Sequence, residues 1–327
     1  MSTLAVTNRY GGAMPGVPRC EACGAGTAAW RLRGGGTLWR CPRCRHVRRD
    51  LDACPAWARD AAYGGDPGLD AVRLALTYRR LRSLLPPPGS VFESGPASKG
   101  GAVFEVGYGA GALLRRFHTA GYRVGGVDAE QLGLRVDPVL AAADLTRGAL
   151  EDLPATAPGG WDLVYGVHVL EHLRDPVAGL RRAYDLLRPG GVLCLLTPTA
   201  DSTGPDRLGA AWWLLEDPTH VRFFSPDSAH RMLTAAGFEQ VRVRRLRLDN
   251  LSMEVASLRR LAYPRHRPAG VLAERGTVPA AVLAAPLTLA ARLAVRRLSP
   301  TLELVARRPA EPRSGAGGEL GARTIGP

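Results

Sequence analysis

With 327 residues, 46% of them hydrophobic, the chain can bury a sizeable core, which excludes a disordered, collagenous or small disulfide-stapled protein. Its formal charge of +13 is arginine charge, since Lys99 is the only lysine among 43 basic residues. The basic stretches 43–49 and 242–247 carry no interleaved aromatics, so nucleic acid is not an expected partner. The segment 1–20 holds no continuous apolar run, and a cytoplasmic, reducing setting is expected for the six cysteines.

Residues 1–55 read as a zinc-ribbon-like module. CEAC supplies Cys20 and Cys23, and CPRC supplies Cys41 and Cys44 beyond the intervening segment 24–40. Two such knuckles place four thiolates for tetrahedral zinc, a structural site with no open coordination position. So small a segment depends on the metal for its folding free energy. Cys54 and Cys194 fall outside the pattern, and Cys194, within VLCLL, is expected in the core. Residues 56–101 read as a helical linker. Apolar residues recur at helical spacing between Leu69 and Leu85, and PPPG at 86–89 ends the run.

From 102 to 310, short apolar runs alternate with amphipathic stretches, which predicts an α/β fold with a mostly parallel sheet. The triplet VFE occurs at 91–93 and at 103–105, and only the second copy leads into a loop and helix. There AVFEV runs into GYGAG (107–111), followed by a helix with Leu113, Leu114 and Phe117 on one face. The first copy runs into PASKGG, with no apolar helix behind it and no GK[ST] ending. Gly107, Gly109 and Gly111 permit a tight turn and close approach of backbone to a ligand. The next strand, YRVGGVD, ends in Asp128, where a carboxylate can accept hydrogen bonds from two ribose hydroxyls. Glu105, before the first glycine, would repel a pyrophosphate and suits a sulfonium and an amine.

EVGYGAG resembles the first motif of the class I S-adenosylmethionine-dependent methyltransferases. The resemblance continues through WDLVYGV (161–167) as the fourth strand and VLCLLTP (192–198) as the fifth. It extends through 216–243, with a sixth strand, and TLELVARRP (301–309), the seventh. A helical insertion at 253–298 precedes that last strand, and the tail 311–327 is expected to be disordered. The resemblance implies a Rossmann-like seven-stranded sheet carrying a small N-terminal zinc-binding module. It implies S-adenosylmethionine over Gly107, Gly109 and Gly111, with Glu105 toward its amino-acid end and Asp128 on its ribose. Where such chains often hold an acid for the adenine amine this one has Ala149, which leaves Glu151 as the adenine-side candidate. His168 is expected to line the cofactor pocket. A CxxC-pair module joined to this domain is similar to a subgroup acting on sugars and other small metabolites.

HVLEH at 168–172 matches the inverted zinc-peptidase pattern HxxEH, which needs both histidines on one face of a substantial helix. Gly166 before it and Asp175–Pro176 after it leave too little helix. Three roles stay open. Some O-methyltransferases carry Glu-x-x-Glu-His here and hold a divalent metal. By that resemblance His168, Glu171 and His172, completed by His220, would hold zinc, iron or manganese sooner than magnesium. His172 or His220 could serve alone as general base, since methyl transfer needs little beyond an aligned, deprotonated nucleophile. Glu171 and His172 could equally shape the loop by hydrogen bonds. Trp212, Trp213, Phe223 and Phe224 flank His220 and read as an acceptor lid or as core. No NPPY-like motif follows the fourth strand, which argues against N-methylation of bases.

The expected reaction is O-methylation of a sugar, glycan precursor or secondary metabolite. The alternatives are C-methylation of a nucleotide-linked sugar, a zinc-ribbon RNA-binding methyltransferase, and an inactive module that keeps the fold. The insertion 253–298, rich in Ala, Leu and Arg, reads as a lid, a dimer surface or a peripheral membrane contact.

Overall fold

A computed structural model describes residues 17–51, 67–85, 101–129, 134–154, 160–264, 272 and 274–310. The first VFE copy, Cys54, PPPG and the 311–327 tail lie outside the described residues. In chain order the ribbon supplies β1 (Ala28–Arg31), β2 (Thr37–Arg40) and β3 (Val47–Arg48), followed by α1 (Pro67–Arg82). Then come β4 (Ala102–Val106), α2 (Ala112–Thr119), β5 (Arg123–Asp128), β6 (Asp144–Arg147), β7 (Trp161–Val167), α3 (Pro176–Leu186) and β8 (Leu187–Pro198). The remainder is α4 (Gly204–Leu208), β9 (Arg222–Phe223), α5 (Pro226–Ala235), β10 (Glu239–Leu246), α6 (Met253–Ala262), α7 (Thr277–Ala294) and β11 (Thr301–Arg307).

The larger sheet has seven strands in the order β10-β11-β8-β7-β4-β5-β6. The run from β8 to β6 is parallel, and β11 is antiparallel to both of its neighbours. The expected Rossmann-like sheet is therefore present. Every residue of β4 is buried, because helices cover both faces, so its sequence is a continuous apolar run and not an alternating one. One face carries α3 and α5, whose Leu180, Ala183, Met232 and Leu233 pack with Phe104 and Val164. The helix starts are locally encoded. Asp175 accepts from the backbone N–H of Val177 (2.9 Å) and Ala178 (3.0 Å), with Pro176 in the first turn. Ser225 and Ser228 form a reciprocal cap at the head of α5.

The other face carries α2 and α1. Leu81 and Leu85 join Val103, Leu114 and Phe117 in one buried cluster, and the Tyr78 ring lies 4.9 Å from that of Phe117. The expected linker role of 56–101 therefore fails for α1, which is a covering helix of the domain. Its apolar stripe buries Leu81 against that cluster, while Val72 and Leu76 stay exposed.

Nor is the ribbon a separate bead. Its sheet has the order β1-β2-β3-β9, and β9 comes from the methyltransferase part of the chain. Val47 pairs with Phe223 and Arg48 with Arg222. Leu38 and Val47 share a buried cluster with Trp212, Leu214 and Phe223. A module this small thus adds to its apolar burial by packing on the larger domain. Cys194 is buried in β8, as expected. The insertion forms α6 and α7, and α7 is long and apolar enough to cross a membrane by length and composition.

Candidate active site

The carboxyl ends of β4, β5 and β7 face one edge of the sheet, where open α/β folds bind ligands. At the end of β4 the turn has Gly107, Gly109 and Gly111 at φ of +75°, +53° and +79°. These values lie in the left-handed region that side chains other than glycine's rarely enter. Gly111 is constrained twice, because a Cβ there would also press into the Leu140 side chain. The Gly109 N–H donates to Asp128 Oδ2 at 2.7 Å, so the carboxylate that ends β5 is oriented against the turn.

Glu105 is placed differently from the sequence expectation. It is 5% exposed, beneath the turn, and accepts from the Tyr165 hydroxyl at 3.0 Å. Burial drives its pKa well above the usual carboxylate range, the Tyr165 bond opposes that, and the nearby Asp128 charge adds to it. It is a buried acid at the strand end, hydrogen-bonded to Tyr165. Strand alternation put its side chain on the α1/α2 face. Glu151 Oε1 accepts from the Asp175 N–H at 3.2 Å, so this adenine-side candidate is engaged at the head of α3.

At the end of β7, His168 has φ +56°, unusual for a residue with a side chain. Its Nδ1 lies 3.2 Å from Glu171 Oε1 and its Nε2 lies 3.4 Å from Asp249 Oδ2. Burial alone would lower its pKa, but the bonds to Asp249 and Glu171 outweigh it and raise the pKa to about 9. His168 is thus an imidazolium between two carboxylates. Asp249, from the β10–α6 connection, is held down at about 2: burial would raise it, and His168 prevails. No motif marked Asp249, because its partner lies on a different strand far earlier in the chain and only the fold joins them.

Glu171, His172 and His220 bring one ligand atom each within 4.8 Å of one another. The two imidazoles stand 4.8 Å apart, centroid to centroid. Each is fixed by a carbonyl. His172 Nδ1 donates to the Thr219 carbonyl at 3.0 Å, and His220 Nδ1 donates to the Leu214 carbonyl at 2.7 Å. Carbonyls only accept, so Nδ1 carries a proton in both rings, and His220 Nε2 lies 3.8 Å from Asp217 Oδ2 and 4.0 Å from Glu171 Oε1. With Nε2 deprotonated, such a ring would suit either a general base or a metal ligand. Glu171, fully buried, accepts from Thr197 Oγ1 at 2.9 Å. His168 stands outside this set.

The ribbon holds both histidine segments. Arg49 donates to the carbonyls of Leu215 (2.9 Å), Asp217 (3.3 Å) and His220 (3.0 Å). Buried Arg222 donates to Glu21 Oε1 at 2.7 Å, and also to the carbonyls of Leu173 and Arg174, just past His172. Glu21 sits between Cys20 and Cys23. Burial would raise its pKa, but His46 and Arg222 hold it at about 2. The four cysteine sulfurs lie within 4.8 Å of one another, with Cys20–Cys44 at 3.4 Å and Cys23–Cys41 at 3.5 Å. A tetrahedral zinc with Zn–S of about 2.3 Å spaces its sulfurs about 3.8 Å apart, so the donor set fits that ion.

A cavity of about 630 Å³ opens beside His168 and His220. Its wall is mainly apolar, with Val72 and Leu76 of α1, Trp213, Leu248, and Val282 of α7. Trp212, Phe223 and Phe224 are fully buried, so of the four aromatics near His220 the structure puts Trp213 at the cavity and the other three in the core.

A family model described as a methyltransferase domain matches residues 77–243, from the last turns of α1 into β10. The chain belongs to this family. It is 31% identical over 164 residues to a ubiquinone biosynthesis O-methyltransferase of Ralstonia nicotianae, covering 47% of this chain and 69% of that one. To the protein of the same name from Chromobacterium violaceum it is 32% identical over 149 residues, covering 42% and 64%. Among solved structures, phosphoethanolamine N-methyltransferase 2 of Haemonchus contortus with S-adenosylmethionine aligns over 76% of this chain and 54% of that one. The identity is 16% and the TM-score 0.47. The chain is an S-adenosylmethionine-dependent methyltransferase.

Proposed function

We propose that the enzyme transfers a methyl group to a hydroxyl oxygen of a small molecule with an apolar body. The observation that carries this reading is the placing of His220, whose Nδ1 donates to the Leu214 carbonyl, beside a largely apolar cavity of about 630 Å³. The relatives named as O-methyltransferases support oxygen as the acceptor atom. The apolar wall favours a hydrophobic secondary metabolite over a sugar or glycan precursor.

When bound, S-adenosylmethionine supplies an electrophilic methyl on a sulfonium sulfur. The open backbone of Gly107, Gly109 and Gly111 would admit it closely, and Asp128 would accept from its ribose hydroxyls. His220 Nε2 would take the proton of the acceptor hydroxyl, and Trp213 would exclude water from that side. Cys20, Cys23, Cys41 and Cys44 would hold a structural zinc.

A second reading is favoured by the convergence of Glu171, His172 and His220. Together they would hold a divalent cation that lowers the acceptor's pKa and fixes its oxygen. The two readings are separable. His220→Ala is expected to lower kcat by about a hundredfold or more in either case, with S-adenosylhomocysteine affinity retained. Exhaustive dialysis against a chelator that leaves the ribbon zinc bound, followed by readdition of manganese or zinc, divides them. Activity that needs readdition supports the cation, and activity that ignores it supports the base. Unchanged kcat in His220→Ala would refute both.

A further inference from the structure

Helix α7 is built inside out. Its one charged residue, Arg292, is fully buried. Arg292 Nη2 donates to both oxygens of Glu254 (2.7 and 2.8 Å), and Nη1 donates to the carbonyls of Arg247 (3.1 Å) and Asp249 (2.6 Å). The outward stripe is Leu283, Pro286, Leu287, Ala290, Leu293 and Ala294, at helical spacing, all exposed and all apolar. Leu283 is 82% exposed and Leu287 76%. A helix facing only water carries its polar residues on that stripe. Exposed Leu258, Leu261 and Tyr263 of α6 and its end, with Leu248, extend the apolar residues of this insertion.

Basic residues flank the stripe at both ends, with Glu274 before Arg275 and Asp201 3.7 Å from Arg297. Arg275 stands exposed before α7, Arg296 and Arg297 stand exposed after it, and no carboxylate occurs between Glu274 and Glu303. We propose that α7, with the adjoining part of α6, docks the enzyme on a bilayer containing anionic lipid. The helix would lie in the plane of the headgroups. Crossing the bilayer would pull Arg292 from its partners into hydrocarbon, whereas lying flat keeps that network and buries the leucine stripe. The arginines at both ends match anionic headgroups. A second copy packed antiparallel on the stripe would set those arginine ends against each other.

The orientation joins this surface to the cavity. Val282 and Ala285, on the adjoining edge of α7, line the cavity that holds His168 and His220. An apolar acceptor dissolved in the bilayer would then enter without crossing water, a consequence that rests on the proposed reaction. The docking itself does not rest on it.

Vesicle flotation of the full chain tests the docking. The protein is expected to float with phosphatidylcholine vesicles containing about a third phosphatidylglycerol, and to stay behind with phosphatidylcholine alone at physiological salt. The double variant Leu283→Gln/Leu287→Gln is expected to lose at least about tenfold in partitioning. Arg296→Gln/Arg297→Gln is expected to lose about tenfold, and less at high salt. S-adenosylhomocysteine affinity and Tm should be unchanged in both, so a failure of docking is distinct from a failure of the reaction. No flotation of wild type with anionic vesicles would overturn the proposal, as would leucine variants that float like wild type. A wild-type dimer in sedimentation equilibrium that the leucine variant dissociates would overturn it too, reassigning the stripe to contact between copies.

Discussion

The two sides of the catalytic edge are built by opposite means. On the cofactor side, the turn, its three glycines and the strand before it are contiguous from 102 to 111, and Asp128 closes the unit at the end of the very next strand. On the acceptor side, His220 is held by Arg49 from the module at the other end of the chain, through bonds to Leu215 and Asp217 as well as to His220 itself. Arg222 and Glu21 tie the same module to the carbonyls beyond His172. The cofactor half is thus a local structure that folds with its own strands. The acceptor half is a tertiary structure whose histidines hold their places only while the ribbon does.

That contrast has a largest consequence. Stripping zinc with a tight chelator, or replacing Cys41 by Ser, should unfold the ribbon and lower methyl transfer by about a hundredfold or more. Calorimetry should then still show S-adenosylhomocysteine binding within about threefold of wild type, since the described backbone bonds of the turn run to Val127, Asp128 and Asp137, outside the ribbon. Equal loss of both would mean the two halves are one unit. The converse break comes from Gly111→Ala. A side chain at φ +79° in contact with Leu140 should cost about 1–3 kcal/mol of stability and at least about tenfold in S-adenosylhomocysteine affinity. Thermal melts and titrations read these separately, and wild-type affinity in this variant would remove the turn from the site. The smallest effect is expected at Glu105. Because burial raises its pKa and its carboxyl is engaged by Tyr165, Glu105→Gln should hold S-adenosylhomocysteine affinity within about threefold and lower Tm by only a few degrees. A large loss of affinity would restore Glu105 as a charged contact to the methyl donor.

The same contrast explains what could be read in advance. Strands and helix starts were legible because their signals are local: AVFEV before GYGAG, Asp175–Pro176 heading α3, Ser225–Pro226 heading α5. The CxxC pairs were legible because ligand spacing is itself local, and the four sulfurs do converge. The role of α1 was not, since its apolar stripe fits a linker or a covering helix equally until Phe117 is seen against Tyr78. Nor was the shared sheet of β3 and β9, because strands this short carry no periodicity. Asp249 and Arg49 act through partners far along the chain and belong to no motif. Glu105 was placed correctly at the end of its strand, but its burial and its bond to Tyr165 could not be read, because a fully buried strand has no alternation to show which face a side chain takes.

The cofactor placement bears directly on every role proposed for the site. Calorimetric titration of S-adenosylhomocysteine into wild type and Asp128→Ala is its most direct measurement. Wild type should bind, and the variant should bind at least about tenfold more weakly, with only the few-degree fall in Tm expected from the lost Gly109 bond. Equal affinity in the two proteins, or no binding by either, would contradict the placement of the methyl donor at this edge.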